Sequence, residues 1–220
     1  MNNDLMHISV IVFDYGGVLA HHYCEPYQSL LAEQLEVSVE ESKQLVSEKS
    51  EQGKLYRVDA ITMNKFWQKV IEIAKTKKQV AFGNLQLLWA KTYILDNRVF
   101  ELLKIIRSKK KKKLCLFTNT DRERFAYMQA TYDLNNQFDY AVCSFQTKLI
   151  KPSKESFANL ISVCGQGESP QNILFIDDRE QTIKQATEFG ITGLVYENYE
   201  QLIDFFLSTK ILTKEDFIDA

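Results

Sequence analysis

Hydrophobic positions are not spread evenly along this chain. They open with Ile8–Phe13 (ISVIVF), a run with one small polar residue, which stops at Asp14 and breaks into Gly16-Gly17. A short, β-branched run closed by a turn signal predicts a strand buried on both faces. The pattern then turns helical. Residues 25–52 predict two helices, with Ser38 and Glu41 forming a capping box and Gly53 as the terminator. After Thr62, the side chains Phe66, Trp67, Val70, Ile71 and Ala74 recur every three or four residues, which predicts an amphipathic helix with a packed apolar face. A further helical stretch covers about Asn84 to Tyr93, so residues 21–94 read as helical throughout, enough for a small bundle of their own.

From there strand and helix alternate. Asp96 caps a helix carrying Val99, Leu102, Leu103 and Ile106, followed by the strand Leu114–Thr118. Thr120 and Glu123 form a capping box for the next helix, and a strand at about Tyr140–Ser144 leads into the loop holding Lys151-Pro152. Ser153 opens a helix closed by Gly165, the strand Ile173–Ile176 ends at Asp177-Asp178, and the helix after it stops at Gly190. A short strand around Gly193–Tyr196 and one or two helices complete the chain. Repeated βα units imply parallel strands joined by right-handed crossovers.

Composition narrows the partners. With 220 residues, 45% hydrophobic and 12% aromatic, the chain can bury a sizeable core, and 27 Lys+Arg against 29 Asp+Glu leave a net charge of -2. That balance offers no global attraction to nucleic acid or to an anionic membrane. The basic run Arg107–Lys113 reads as a solvated loop, because no interleaved aromatics accompany it and it precedes a strand. Cys24, Cys115, Cys143 and Cys164 fall in no metal-ligand spacing and read as reduced thiols, which suits the cytoplasm. Neither a signal peptide nor a transmembrane run is visible, and oligomeric state is not legible.

Candidate chemistry gathers where strands end. Asp14, Thr118-Asn119, the loop bearing Lys151, and Asp177-Asp178 all follow predicted parallel strands and would converge on one edge of the sheet. Carboxylates, a hydroxyl, an amide and an ammonium in one crevice suit a divalent cation and a phosphoryl group, with one carboxylate placed to attack phosphorus. In order and spacing, Asp14-Tyr15-Gly16-Gly17-Val18-Leu19, Leu116-Phe117-Thr118-Asn119, Lys151-Pro152 and Ile176-Asp177-Asp178 resemble the four motifs of the haloacid dehalogenase-like hydrolase superfamily. Within it the chain looks like the phosphatases with a helical cap.

The resemblance implies an α/β fold: a Rossmann-like parallel core of residues 1–20 and 95–220, with residues 21–94 inserted as a helical cap. It also implies Mg²⁺-dependent hydrolysis of a small phosphorylated metabolite through an aspartyl-phosphate. Asp14 would be the nucleophile; Thr118, Asn119 and Lys151 would hold the phosphoryl group. Asp14, the Gly16 carbonyl and Asp178 would ligate Mg²⁺, with Asp177 behind them. Cap aromatics such as Tyr23, Tyr27, Tyr56 and Trp67 would line the entrance or fill the cap's own core.

One position departs from the commonest family pattern. Most such phosphatases carry a second aspartate two residues after the nucleophile, as a proton donor; here that position is Gly16. Three readings follow: a phosphatase whose proton is moved by water or by His21 or His22, a metal-independent 2-haloacid dehalogenase, or a phospholigand-binding protein with little turnover. The Asp177-Asp178 pair argues against the second, since without a cation it repels an anionic substrate.

Overall fold

The computed structural model describes residues 4–22, 24–109, 112–165, 167 and 169–217. The chain opens with β1 (Val10–Phe13), turns through Asp14–Leu19, and forms the short β2 (Ala20–His21). Helices α1 (Glu25–Leu35), α2 (Val39–Val46), α3 (Glu51–Arg57), α4 (Met63–Ala74) and α5 (Phe82–Lys91) follow. The return is through β3 (Ile94–Leu95), which pairs antiparallel with β2, so the chain leaves for the helices and comes back at one neck.

Then come α6 (Asn97–Ser108), β4 (Lys113–Thr118), α7 (Arg122–Tyr132), α8 (Leu134–Gln137), β5 (Tyr140–Cys143) and α9 (Ser144–Thr147). Next are α10 (Lys154–Cys164), β6 (Ile173–Asp177), α11 (Glu180–Thr187), β7 (Thr192–Val195) and α12 (Tyr199–Ser208), with 3₁₀ turns at Pro170–Asn172 and Lys214–Phe217.

The main sheet runs β5-β4-β1-β6-β7 with every pairing parallel. Its central strands β1, β4 and β6 are buried on both faces, as their apolar runs require, while the edge strands β5 and β7 are partly exposed. Side chains of alternate residues part to opposite sides. Ile11, Phe13, Leu116 and Ile176 enter one core with α6 and α12, whereas Val10, Val12, Phe117 and Phe175 enter the other with Phe157 and Leu160 of α10. The helices α1–α5 enclose a third core of their own, built on Leu31, Val46, Phe66, Trp67, Val70, Leu85 and Trp89.

Three expected caps are present: Ser38 accepts from the Glu41 amide, Asp96 from Arg98 and Ser153 from Ser156; Thr62, not singled out as a cap, accepts from Lys65. Three expectations are corrected. Residues 25–57 make three helices, not two, because Ser50 starts α3 by accepting from the Gly53 amide. Gly53 therefore lies inside a helix, and its reason is space: a Cβ there would stand 1.9 Å from the Ser47 carbonyl. The cap of α7 is Asp121, whose carboxylate accepts from Arg124, while the Thr120 amide is committed to Ser144 Oγ. A charged carboxylate one residue on outcompetes the hydroxyl.

In the basic run, Lys110 and Lys111 lie outside the described residues. Its described members are tied down: Arg107 pairs with Asp139, Lys109 with Asp216, and Lys112 donates to the Met6 and Ile8 carbonyls. All four cysteines are free thiols, three of them buried. Among the described residues no helix is long and apolar enough to cross a membrane.

Candidate active site

Register puts the chemistry together. Phe13 pairs with Leu116 on one side and Ile176 on the other, so Asp14 leaves the sheet level with Asp177, and Thr118 lies two residues past Leu116. Strand connections diverge at β1, toward β4 and β5 on one side and β6 and β7 on the other. The crevice at such a switch point is where open α/β sheets bind ligands. Here it widens into a cavity of about 460 Å³, lined by Asp14, Thr118, Asn119, Lys151 and Asp178 on the sheet side.

Lys151 is the hub. Its ammonium is 1% exposed and meets Asp14 Oδ1 at 2.8 Å, Asp177 Oδ2 at 2.7 Å and the Phe117 carbonyl at 2.9 Å. Three N–H donors find three acceptors, which is what a buried ammonium needs. Asn119 sets the hub in place: its Oδ1 accepts from the Lys151 amide at 3.0 Å and its Nδ2 donates to the Lys151 carbonyl at 2.9 Å. The other Nδ2 hydrogen goes to Glu48 Oε2 at 3.0 Å, so the side chain expected on the phosphoryl group holds Lys151 and Glu48 in this structure.

Asp14, Asp177 and Asp178 each offer an oxygen within 4.8 Å of the others. Burial pushes the Asp14 carboxyl up to about 7, with Lys151 opposing and Asp177 reinforcing. Asp178 is raised by burial and by Asp177. Burial also works against Asp177, but Lys151 and Arg179 outweigh it and hold that carboxyl below its usual range.

Three carboxylates with two of them strained upward form a hard-oxygen donor set that a divalent cation would relieve. Asp177 has both oxygens engaged, by Lys151 Nζ and by the Arg179 amide, which leaves Asp14 and Asp178 the better placed to ligate directly. Gly17 makes room for this: its φ is +89°, and a Cβ on it would stand 2.2 Å from Asp178 Oδ2. Only glycine tolerates both demands.

Position 16 has a physical answer. A Cβ on Gly16 would meet His22 Cε1 and Tyr93 Cε1, each at 2.7 Å. The imidazole of His22 thus takes up space that a side chain at 16 would need; it hydrogen-bonds to the Gly16 backbone and lies 4.0 Å from Asp178 Oδ2. His21 points away, 69% exposed, and pairs with Asp96 at 3.1 Å.

The opposite wall comes from the helical segment and from α7, with Glu48, Arg57, Tyr93 and Arg124, while Arg179 lines the cavity from the turn after β6. Arg179 Nη1 meets Glu48 Oε1 at 2.5 Å and its Nε lies 3.6 Å from Asp177. Sequence reasoning did not single out these residues. Arg179 directly follows Asp177-Asp178, and Arg57 is a cation on the buried stripe of α3 beside Tyr56; both signals were available.

Of the aromatics considered, Trp67 and Tyr56 are buried among the helices, both bonded to Gln86 Oε1, while Tyr27 lies under Lys91. Tyr23 lies outside the described residues.

A parallel α/β sheet with a lysine-bridged carboxylate cluster at its carboxyl edge defines a class of hydrolytic site. The haloacid dehalogenase-like hydrolase model matches residues 8–190, and the chain belongs to that family. A Dictyostelium discoideum protein without an assigned function is 24% identical over 214 residues, covering 85% of this chain and 90% of its own.

Among solved structures, a family enzyme from Bacteroides thetaiotaomicron, in complex with magnesium and inorganic phosphate, superposes with a TM-score of 0.73 at 19% identity, over 89% of this chain and 98% of that one. The L-2-haloacid dehalogenase of Xanthobacter autotrophicus with chloropropionic acid covalently bound gives 0.59 at 16% identity, over 93% and 84%. At such identities the likeness shows a shared fold.

Proposed function

We propose that the protein hydrolyses a small phosphomonoester, with Mg²⁺ bound by Asp14, the Gly16 carbonyl and Asp178. The observation that carries this reading is the buried Lys151 ammonium held between Asp14 and Asp177 at the floor of the cavity. Asp14 Oδ2 accepts no hydrogen bond among the described residues, whereas Oδ1 is held by Lys151 and by the Tyr15 amide at 2.6 Å. One oxygen is anchored and the other is the nucleophile.

Attack of that oxygen forms a bond to phosphorus as the ester P–O bond breaks, and water later cleaves the aspartyl-phosphate to regenerate Asp14 and release phosphate. Lys151 and Thr118 stabilise the charge on the transferring group, and Asn119 keeps Lys151 in place. The bound cation would supply Lewis-acid charge neutralisation of the phosphoryl oxygens. With no carboxylic acid at position 16, His22 is the group we assign to protonate the leaving oxygen. The helices α1–α5 act as a cap that excludes bulk water and selects the substrate.

The test is phosphate release over a panel of soluble phosphate esters with Mg²⁺, against EDTA and Asp14→Asn. Release that depends on both the metal and Asp14 supports the reading. Release surviving Asp14→Asn overturns it, and chloride release from a 2-haloacid in EDTA would select the dehalogenase chemistry instead.

A further inference from the structure

Resting on the phosphomonoesterase reading, we propose that the substrate carries a second anionic group, a carboxylate or another phosphate, and that Arg57 receives it in the helical half of the cavity. Arg57 is 5% exposed, yet its guanidinium meets only neutral partners: Nη1 donates to the Val46 and Gly53 carbonyls at 3.2 and 3.0 Å, and Nη2 to Val46 at 3.2 Å. Glu48 feels the Arg57 charge, which helps hold that carboxyl below its usual range, but no ion pair within 4.0 Å joins the two among the described residues, and Glu48 is itself bound to Arg179. A buried charge that only shares a counter-ion already engaged elsewhere is costly unless something that binds later provides one of its own.

Every other buried cation at this site differs. Lys151 has Asp14 and Asp177, and Arg124 has Asp121 at 4.0 Å. Arg124 stands beside Arg57 on the same ring, its Cζ 3.5 Å from the Trp89 centroid against 5.5 Å for Arg57.

The acids on this wall do not cancel the charge. Glu48 is bound to Arg179 and Asn119, and Glu40 lies 4.0 Å from Lys43. Basic side chains outnumber acidic ones around the cavity, while the phosphoryl group and its cation are served at the sheet edge. A cavity of about 460 Å³ leaves room beyond a phosphoryl group for a short anionic tail. The carbonyl contacts of Arg57 explain its position, since they tie the end of α2 to α3, but neutral acceptors do not by themselves explain its charge.

Two matched pairs of esters test this: glycerol 3-phosphate against 3-phosphoglycerate, which differ in a terminal hydroxyl or carboxylate, and fructose 1-phosphate against fructose 1,6-bisphosphate. Binding is measured by calorimetry on Asp14→Asn with Mg²⁺, and turnover on the native chain, so that recognition and hydrolysis are read separately. The expected result is at least tenfold tighter binding of the anionic member of one pair, the pair itself showing whether carboxylate or phosphate is preferred. Arg57→Gln removes the charge and should erase that preference, read as the ratio of binding constants and of KM between the two members of the pair.

Should Arg57→Gln fail to fold, Arg57→Lys and the native preference serve in its place, with the lysine retaining part of the discrimination. Equal or tighter binding of the neutral members of both pairs overturns the proposal even if phosphate is released. Preferential binding of an anionic ester with no phosphate released would sink the hydrolase reading and leave the anion site standing.

Discussion

The sheet wall and the helical wall of the cavity hold their charges by opposite means. On the sheet wall, Asp14 and Asp177 leave adjacent parallel strands, and Lys151 closes the gap between them through three contacts of 2.7–2.9 Å. On the helical wall, Arg57 is held by carbonyl dipoles and aromatic stacking. The first wall is charge-paired before any ligand arrives, and its register fixes where the chemistry happens. The second keeps a cation in reserve, the arrangement expected of a surface that selects what enters.

The sharpest way to break this contrast is Asp14→Asn, which keeps the size and the Tyr15 contact but removes the nucleophile. Phosphate release should fall roughly 10⁴-fold or more with the melting temperature little changed. Next, Lys151→Met leaves Asp14 and Asp177 facing one another in a buried site. It should cost about 3–5 kcal/mol in urea unfolding, whereas Arg57→Gln strands no carboxylate and should cost only about 1 kcal/mol. If the two costs are equal, the walls do not differ as argued.

A smaller effect is expected at the neck: His22→Gln should lower turnover about 10²-fold, and His21→Gln, whose ring faces Asp96 outside the cavity, should leave it unchanged. Weakest is the surface link between walls, where Asp59 accepts from Arg122 and Lys148, both at 2.8 Å. Asp59→Ala should cost at most about 1 kcal/mol. Those hydrogen bonds hold the Asp59 carboxyl below its usual 3.8, so its contribution is present above that pH and fades as the pH falls below it. The difference in unfolding between native and Asp59→Ala proteins should therefore be larger at pH 7 than at pH 3.

Legibility followed the same division. The β1 run ending at Asp14 and the Asp177-Asp178 pair could be read as strand tips because a doubly buried strand leaves a continuous apolar trace. Caps at Ser38, Asp96 and Ser153 were readable because they are decided within three residues. Thr120 misled because Asp121, its neighbour in sequence, offers an equally local cap, and only the tertiary contact of the Thr120 amide with Ser144 shows which residue is left to take that role. Gly53 misled because a helix terminator and a site of close backbone approach look alike in sequence. The pairing of β2 with β3 left no trace, each being two residues long and separated by the whole helical segment.

Periodicity and turn chemistry alone determined the βα order, the helical character of the segment between Glu25 and Lys91, though not the β2–β3 pairing at the ends of the predicted 21–94 stretch, and the strand-end polar clusters, since each is set by neighbours along the chain. Only the folded molecule decided that His22 fills the space above Gly16, that Asn119 braces Lys151, and that Arg57 lines the cavity without an ion pair of its own. Asn119 and Lys151 lie 32 positions apart, and even between Gly16 and His22 the placement is chosen by packing, which no local pattern encodes.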